Sequence, residues 1–127
     1  MNDYGQLRDA ISRIQQIGDR ISTITETRSD SWRHELIRAR RELSEAVART
    51  FIAIGAFQAI DQAGFEGVRE RLSVFRSALA LHQASHPASS IANFREFKDS
   101  NDLVQRAGRD FIDAALKMLN RSNAKLP

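Results

Sequence analysis

The sequence predicts an all-α protein, an antiparallel four-helix bundle with one long central helix. Three observations predict it. Apolar residues recur at intervals of three and four along nearly the whole chain, which is the helical period. No run alternates apolar and polar residues with period two, so nothing reads as a strand. The first helical segments are joined by short polar or glycine-marked interruptions, which bring consecutive helices side by side. The 127 residues make one domain, spanning 1–127, large enough to bury about two thirds of its unfolded surface.

The first helix covers about 4–26. Leu7, Ile11, Ile14, Ile17, Ile21 and Ile24 fall on one stripe, with Arg8, Asp9, Arg13, Asp19 and Arg20 off it. β-Branched isoleucine is a modest helix former, so this helix depends on burying that stripe. Ser29, Asp30 or Ser31 can then cap the next helix.

That next helix runs about 32–63 and has two unlike halves. The first is charged, with Arg38–Glu42 and Arg41–Glu45 placed to pair one turn apart. The second, AVARTFIAIGAFQAI, is apolar on nearly every side, so something must wrap it. Its small residues, Gly55 among them, suit close approach of a neighbouring helix, with Phe51, Ile54 and Phe57 filling the flanks. Gly64 is placed to end it, with Ile60 and Phe65 touching across the turn.

A third helix follows over about 67–83. Val68, Leu72, Phe75, Leu79 and His82 share one face, and Pro87 forbids continuation. A short extra helix or turn is expected near 89–98, because Ile91, Phe94 and Phe97 recur every third residue. The last helix covers about 101–120, with Val104, Phe111, Ala115 and Met118 inward and a frayed tail, NAKLP, beyond. At about 1.5 Å per residue the long helix would reach about 48 Å against about 30–35 Å for the others. It must overhang, bend near Gly55, or be covered by the 87–100 segment or a second subunit. An overhanging apolar end makes homodimerisation the expected outcome.

Composition narrows the classes. The absence of cysteine removes disulfides and thiolate chemistry, and fits a reducing cytoplasm. The N-terminus lacks the basic and apolar regions of a secretion signal. The longest apolar run carries Arg49 and Gln58 and is too short to span a bilayer, so no membrane partner is expected. The net charge of +3 comes from 16 Arg and three Lys against 16 acids. Arginine forks suit phosphates, and Arg33, Arg38, Arg40 and Arg41 are the candidates for nucleic-acid contact. Glu35, Glu42 and Glu45 dilute that cluster, which favours a solvated face instead.

Three constellations bear on catalysis or metal binding. His34-Glu35-Leu36 resembles the start of a histidine-kinase H-box, where an exposed helical imidazole takes a phosphoryl group beside an acid. The resemblance ends after those three residues. Ile37 and Arg38 stand where the histidine phosphotransfer pattern has lysine and glycine. Arg76-Ser-Ala-Leu-Ala-Leu-His82 sets an arginine and a histidine at a separation similar to that of HEPN ribonucleases, helical bundles that cleave RNA as dimers without metal. Arg28 and His34 repeat that spacing, as composition alone produces in so arginine-rich a chain. His82 and His86 stand one turn apart, yet Pro87 disturbs the geometry and no Glu-x-x-His accompanies them, so no metal site is assigned.

Each enzyme reading thus needs a constellation that is absent or expected by chance. The sequence is read as a non-enzymatic protein–protein interaction or regulatory module. Its partners are itself, as a homodimer, and another, unidentified protein; no cofactor is called for. The interface candidates are Phe51, Ile54, Gly55 and Phe57. The alternative is a small helical enzyme, an HEPN-like ribonuclease using Arg76 and His82 or a phosphotransfer domain using His34.

Overall fold

Leu7, Ile11, Ile14, Ile17, Ile21 and Ile24 form one buried stripe, and the helix they organise, α1, spans Asp3–Thr27. The computed structural model describes residues 3–124, and among these only helices, turns and connecting segments occur. Arg28 adopts a left-handed backbone (φ 49°) and its N–H returns to the Ile24 carbonyl, which ends α1. α2 then runs over Trp32–Ile54, burying Leu36, Ala39, Leu43, Ala46, Val47, Thr50 and Ile54. Thr50 sits in an apolar stripe because its hydroxyl donates to the Ala46 carbonyl at 2.8 Å.

The long helix of the sequence reading is broken. At Gly55–Phe57 the helix tightens to a 3₁₀ turn, and the chain reverses before Asp61. Asp61 is the N-cap of α3, which spans Gln62–Ser85; its carboxylate accepts from the Gly64 N–H at 3.0 Å. Gly64 therefore lies in the first turn of α3 rather than ending α2, and it is glycine because a Cβ there would collide with the Asp61 carboxylate. The reversal comes before Gly64 because Asp61 offers a cap to the new helix while Gly55 weakens the old one.

The last two predicted pieces are one helix. α4 spans Phe94–Ala124 without interruption. Asn93 starts it, its side-chain oxygen accepting from the N–H groups of Arg95 and Glu96, both at 3.1 Å. Asp99-Ser100-Asn101, which read as a boundary, is absorbed within the helix because no glycine or proline stands there to stop it. The helix continues through Asn123 and Ala124, and the rest of the expected frayed tail lies outside the described residues.

α1 packs along α2 and α3 along α4, and the two hairpins meet each other across far fewer contacts. Phe57, at the reversal, is fully buried with its ring edge-on to Tyr4 at 5.4 Å. Phe75 and Phe111 stack in parallel, 6.3 Å apart, between α3 and α4. Gly108 permits this, since a Cβ there would stand only 3.1 Å from the Phe75 ring. Outside, Arg13 and Arg20 of α1 both pair with Glu42 of α2, so Glu42 serves the α1–α2 seam rather than Arg38. No helix of the described residues is long and apolar enough to cross a membrane.

Candidate functional site

Because the hairpins touch sparingly, α1 and α4 leave a cleft between them of about 770 Å³, within the range that small molecules occupy in proteins. Its rim is polar, with Gln15, Asp19 and Ser22 from α1 and Asn101, Arg109 and Asp113 from α4. Leu43 of α2, Phe75 and Leu79 of α3 and Ile112 of α4 give it apolar walls. Gly18 lines it without a side chain. One hydrogen bond clasps the two sides, the Gln105 amide donating to Ser22 Oγ at 3.1 Å.

Arg40, His82 and Gln83 also line the cleft. The helical period explains how they come there. His82 completes the stripe Val68–Leu72–Phe75–Leu79 and is only 4% exposed. Arg40 borders the Leu36–Ala39–Leu43 stripe and is drawn half inside with it. His82 Nδ1 and Ser100 Oγ are 2.7 Å apart, and the ring lies against Phe97 at 4.9 Å and His86 at 5.3 Å. Burial pushes its pKa down to about 4, aided by the positive fields of Arg40 and His86. The imidazole is thus neutral at pH 7.

Serine beside histidine is the pairing that nucleophilic enzymes use, but the electrostatics here oppose that chemistry. A base of pKa about 4 takes a proton poorly near neutrality. The charged groups acting on His82 are Arg40 and His86, both basic, where a triad would set a carboxylate. Burial also depresses the Arg40 pKa. Its Nη2 is sealed from water with no hydrogen-bond partner, and so is Nε2 of Gln83.

The other predicted residues are dispersed. Arg76 is exposed on another face of α3, its guanidinium 5.5 Å over the Phe51 ring, and does not meet His82 in a cleft. Arg28 lies over the Phe94 ring at 4.0 Å, and His34 is exposed in the first turn of α2. The basic cluster divides as well. Arg33 donates to the carbonyls of Ala88 (2.6 Å) and Ile91 (3.3 Å), tying down the segment between α3 and α4. Arg40 turns inward, and only Arg38 and Arg41 stay exposed. These positions do not make one basic face. Among the described residues, no group of three or more His, Asp or Glu is placed to hold a metal ion.

The interface candidates separate in the same way. Ile54 and Phe57 are buried in the chain's own core, so they cannot serve a partner. Phe51 and Gly55 lie outside, and a Cβ on Gly55 would meet nothing within 4 Å. Gly55 is therefore not the closest helix contact that the sequence suggested. The outer residues share a face with two that are not among the interface candidates, Ala48 and Ile52. Phe51 is 47% and Ile52 75% exposed. The phase of the buried stripe Leu43–Val47–Thr50–Ile54 foretells this, but the polar Thr50 obscured it.

The chain matches no model of a known protein family, no characterised protein and no solved structure.

Proposed function

We propose that this protein is a non-enzymatic helical interaction module that pairs with a second copy of itself through the outer face of α2. One observation carries the reading. Ala48, Phe51, Ile52 and Gly55 recur at helical spacing on an exposed face, two large apolar side chains between two small ones. Small residues let a second helix approach, and the same face on both copies satisfies a two-fold interface. Val74 and Leu81 on α3 and Leu103 on α4, also exposed, are left for a different protein. A cytoplasmic setting fits a chain without cysteine.

Sedimentation equilibrium tests the pairing. The wild type is expected to dimerise, and Ile52→Glu to weaken the dimer at least tenfold while its helical circular dichroism is retained. Gly55→Leu, which meets open space within the chain, should not destabilise the monomer and should weaken the dimer. A wild type that stays monomeric at high concentration refutes the reading.

A further inference from the structure

The cleft between α1 and α4 holds an imbalance that the interaction reading does not use. Arg40 is a cation drawn into the protein with no carboxylate within ion-pairing distance among the described residues. The acids that line the cleft, Asp19 and Asp113, are exposed at the rim, and neither pairs with it. Gln83, on the same cleft, holds a second sealed donor without an acceptor. Buried donors without partners cost free energy, most of all on a charged group, and proteins seldom keep them unless something supplies the acceptor. Both orphans are donors. What is missing is therefore an acceptor, and beside a guanidinium it is an anionic one.

We propose that this cleft binds a small organic carboxylate, its head held by Arg40 and Gln83 and its apolar body lying among Phe75, Leu79, Val104 and Ile112. The charge count selects the head. Arg109 stands exposed at the rim with Asp19 and Asp113, so the floor itself carries one guanidinium and one neutral amide, which match a planar monoanion with two acceptor oxygens. A phosphate would ask for more positive charge than this floor offers. His82 adds none, because its Nδ1 is engaged by Ser100 and the ring is neutral at pH 7. The walls select the body, since Leu43, Phe75, Leu79 and Ile112 offer it no polar atoms. Entry needs little movement. Arg40 and Gln83 already line the cleft, so turning their terminal torsions brings both sealed donors to the ligand, and the clasp between Gln105 and Ser22 is one part-buried hydrogen bond between side chains.

Isothermal titration calorimetry on the whole chain tests this with octanoate, octanol and inorganic phosphate as probes. Octanoate is expected to bind saturably, with octanol and phosphate each at least tenfold weaker. Arg40→Met, which replaces the guanidinium by an apolar chain of similar length, should abolish the preference of octanoate over octanol. Its melting temperature should equal or exceed that of the wild type, since a sealed donor without an acceptor is gone. In the wild type, titration with octanoate should also shift the Gln83 side-chain amide resonances. That measurement stands even if the variant fails to fold. Equal affinity for octanoate and octanol, tighter binding of phosphate, absence of saturable octanoate binding, or unmoved Gln83 resonances would each overturn the proposal. None of these outcomes depends on whether the chain dimerises.

Discussion

Acidification should destabilise this fold through His82, over and above what the carboxylates contribute. Above pH 6.5 the imidazole is neutral in both the folded and the unfolded chain and contributes no pH dependence. As the pH falls through 6.5 the unfolded chain takes up a proton, while the folded imidazole, with a pKa of about 4, does not. Stability then drops by up to about 1.4 kcal/mol for each further pH unit and levels off near pH 4, where the folded form protonates as well. The whole fall amounts to about 3 kcal/mol, a large part of the roughly 5–15 kcal/mol that holds a typical domain folded. Burial is the chief cause, because His82 is 4% exposed and backed by Phe97. The charges of Arg40 and His86 add to it. Urea titrations followed by circular dichroism between neutral pH and about pH 4 measure the slope directly. His82→Gln removes the titration while leaving the carboxylates to titrate as before, so the difference between the two slopes belongs to His82. Arg40→Met should make the wild-type slope shallower, since one of the repelling charges is lost. Identical slopes for wild type and His82→Gln would refute the reasoning.

Two glycines should respond in opposite directions to the same substitution. Gly108→Ala gains about 1 kcal/mol of helix propensity, but its Cβ would press on the buried Phe75 ring, itself stacked on Phe111, so a net loss of about 1 kcal/mol is expected. Gly18→Ala, with open space around its Cβ, should stabilise by about 0.5–1 kcal/mol; thermal melts of the two variants check the contrast. Asp61→Ala removes the N-cap of α3 and the ion pair to Arg121, at a cost of about 1–2 kcal/mol. Asp61→Asn keeps the capping oxygen and should lose about 0.5 kcal/mol. Equal losses for the two variants in urea titrations would show that the ion pair, not the cap, matters.

The fold is largely legible in the sequence, and the reason is local. A three-and-four spacing of apolar residues identifies a helix face wherever it falls, so the α1 stripe from Leu7 to Ile24 and the α3 stripe from Val68 to His82 are legible residue by residue. Helix ends were less legible. Asn93 with Glu96 carries the start of α4, and Asp61 that of α3, but the polar run Asp99–Asn101 and the glycine at 64 gave competing signals of the same kind. Local chemistry alone does not rank two plausible caps; the packing of the helices they would start does.

The candidate site was scarcely legible at all. Arg40 stood in a run of arginines that looked uniformly solvated, and Gln83 and Ser100 carried no signal. Which of four neighbouring arginines turns inward depends on where α2 meets the other hairpin, a contact between residues far apart in the chain. The same holds for the apolar half of the long helix. Its composition by itself determined that both sides would need cover, and that a break near Gly55 was one way to supply it. Only the tertiary structure decided that the chain covers the Ile54 and Phe57 side and leaves Phe51 and Ile52 open. Helical period is a property of one segment, whereas burial is a property of two segments that meet.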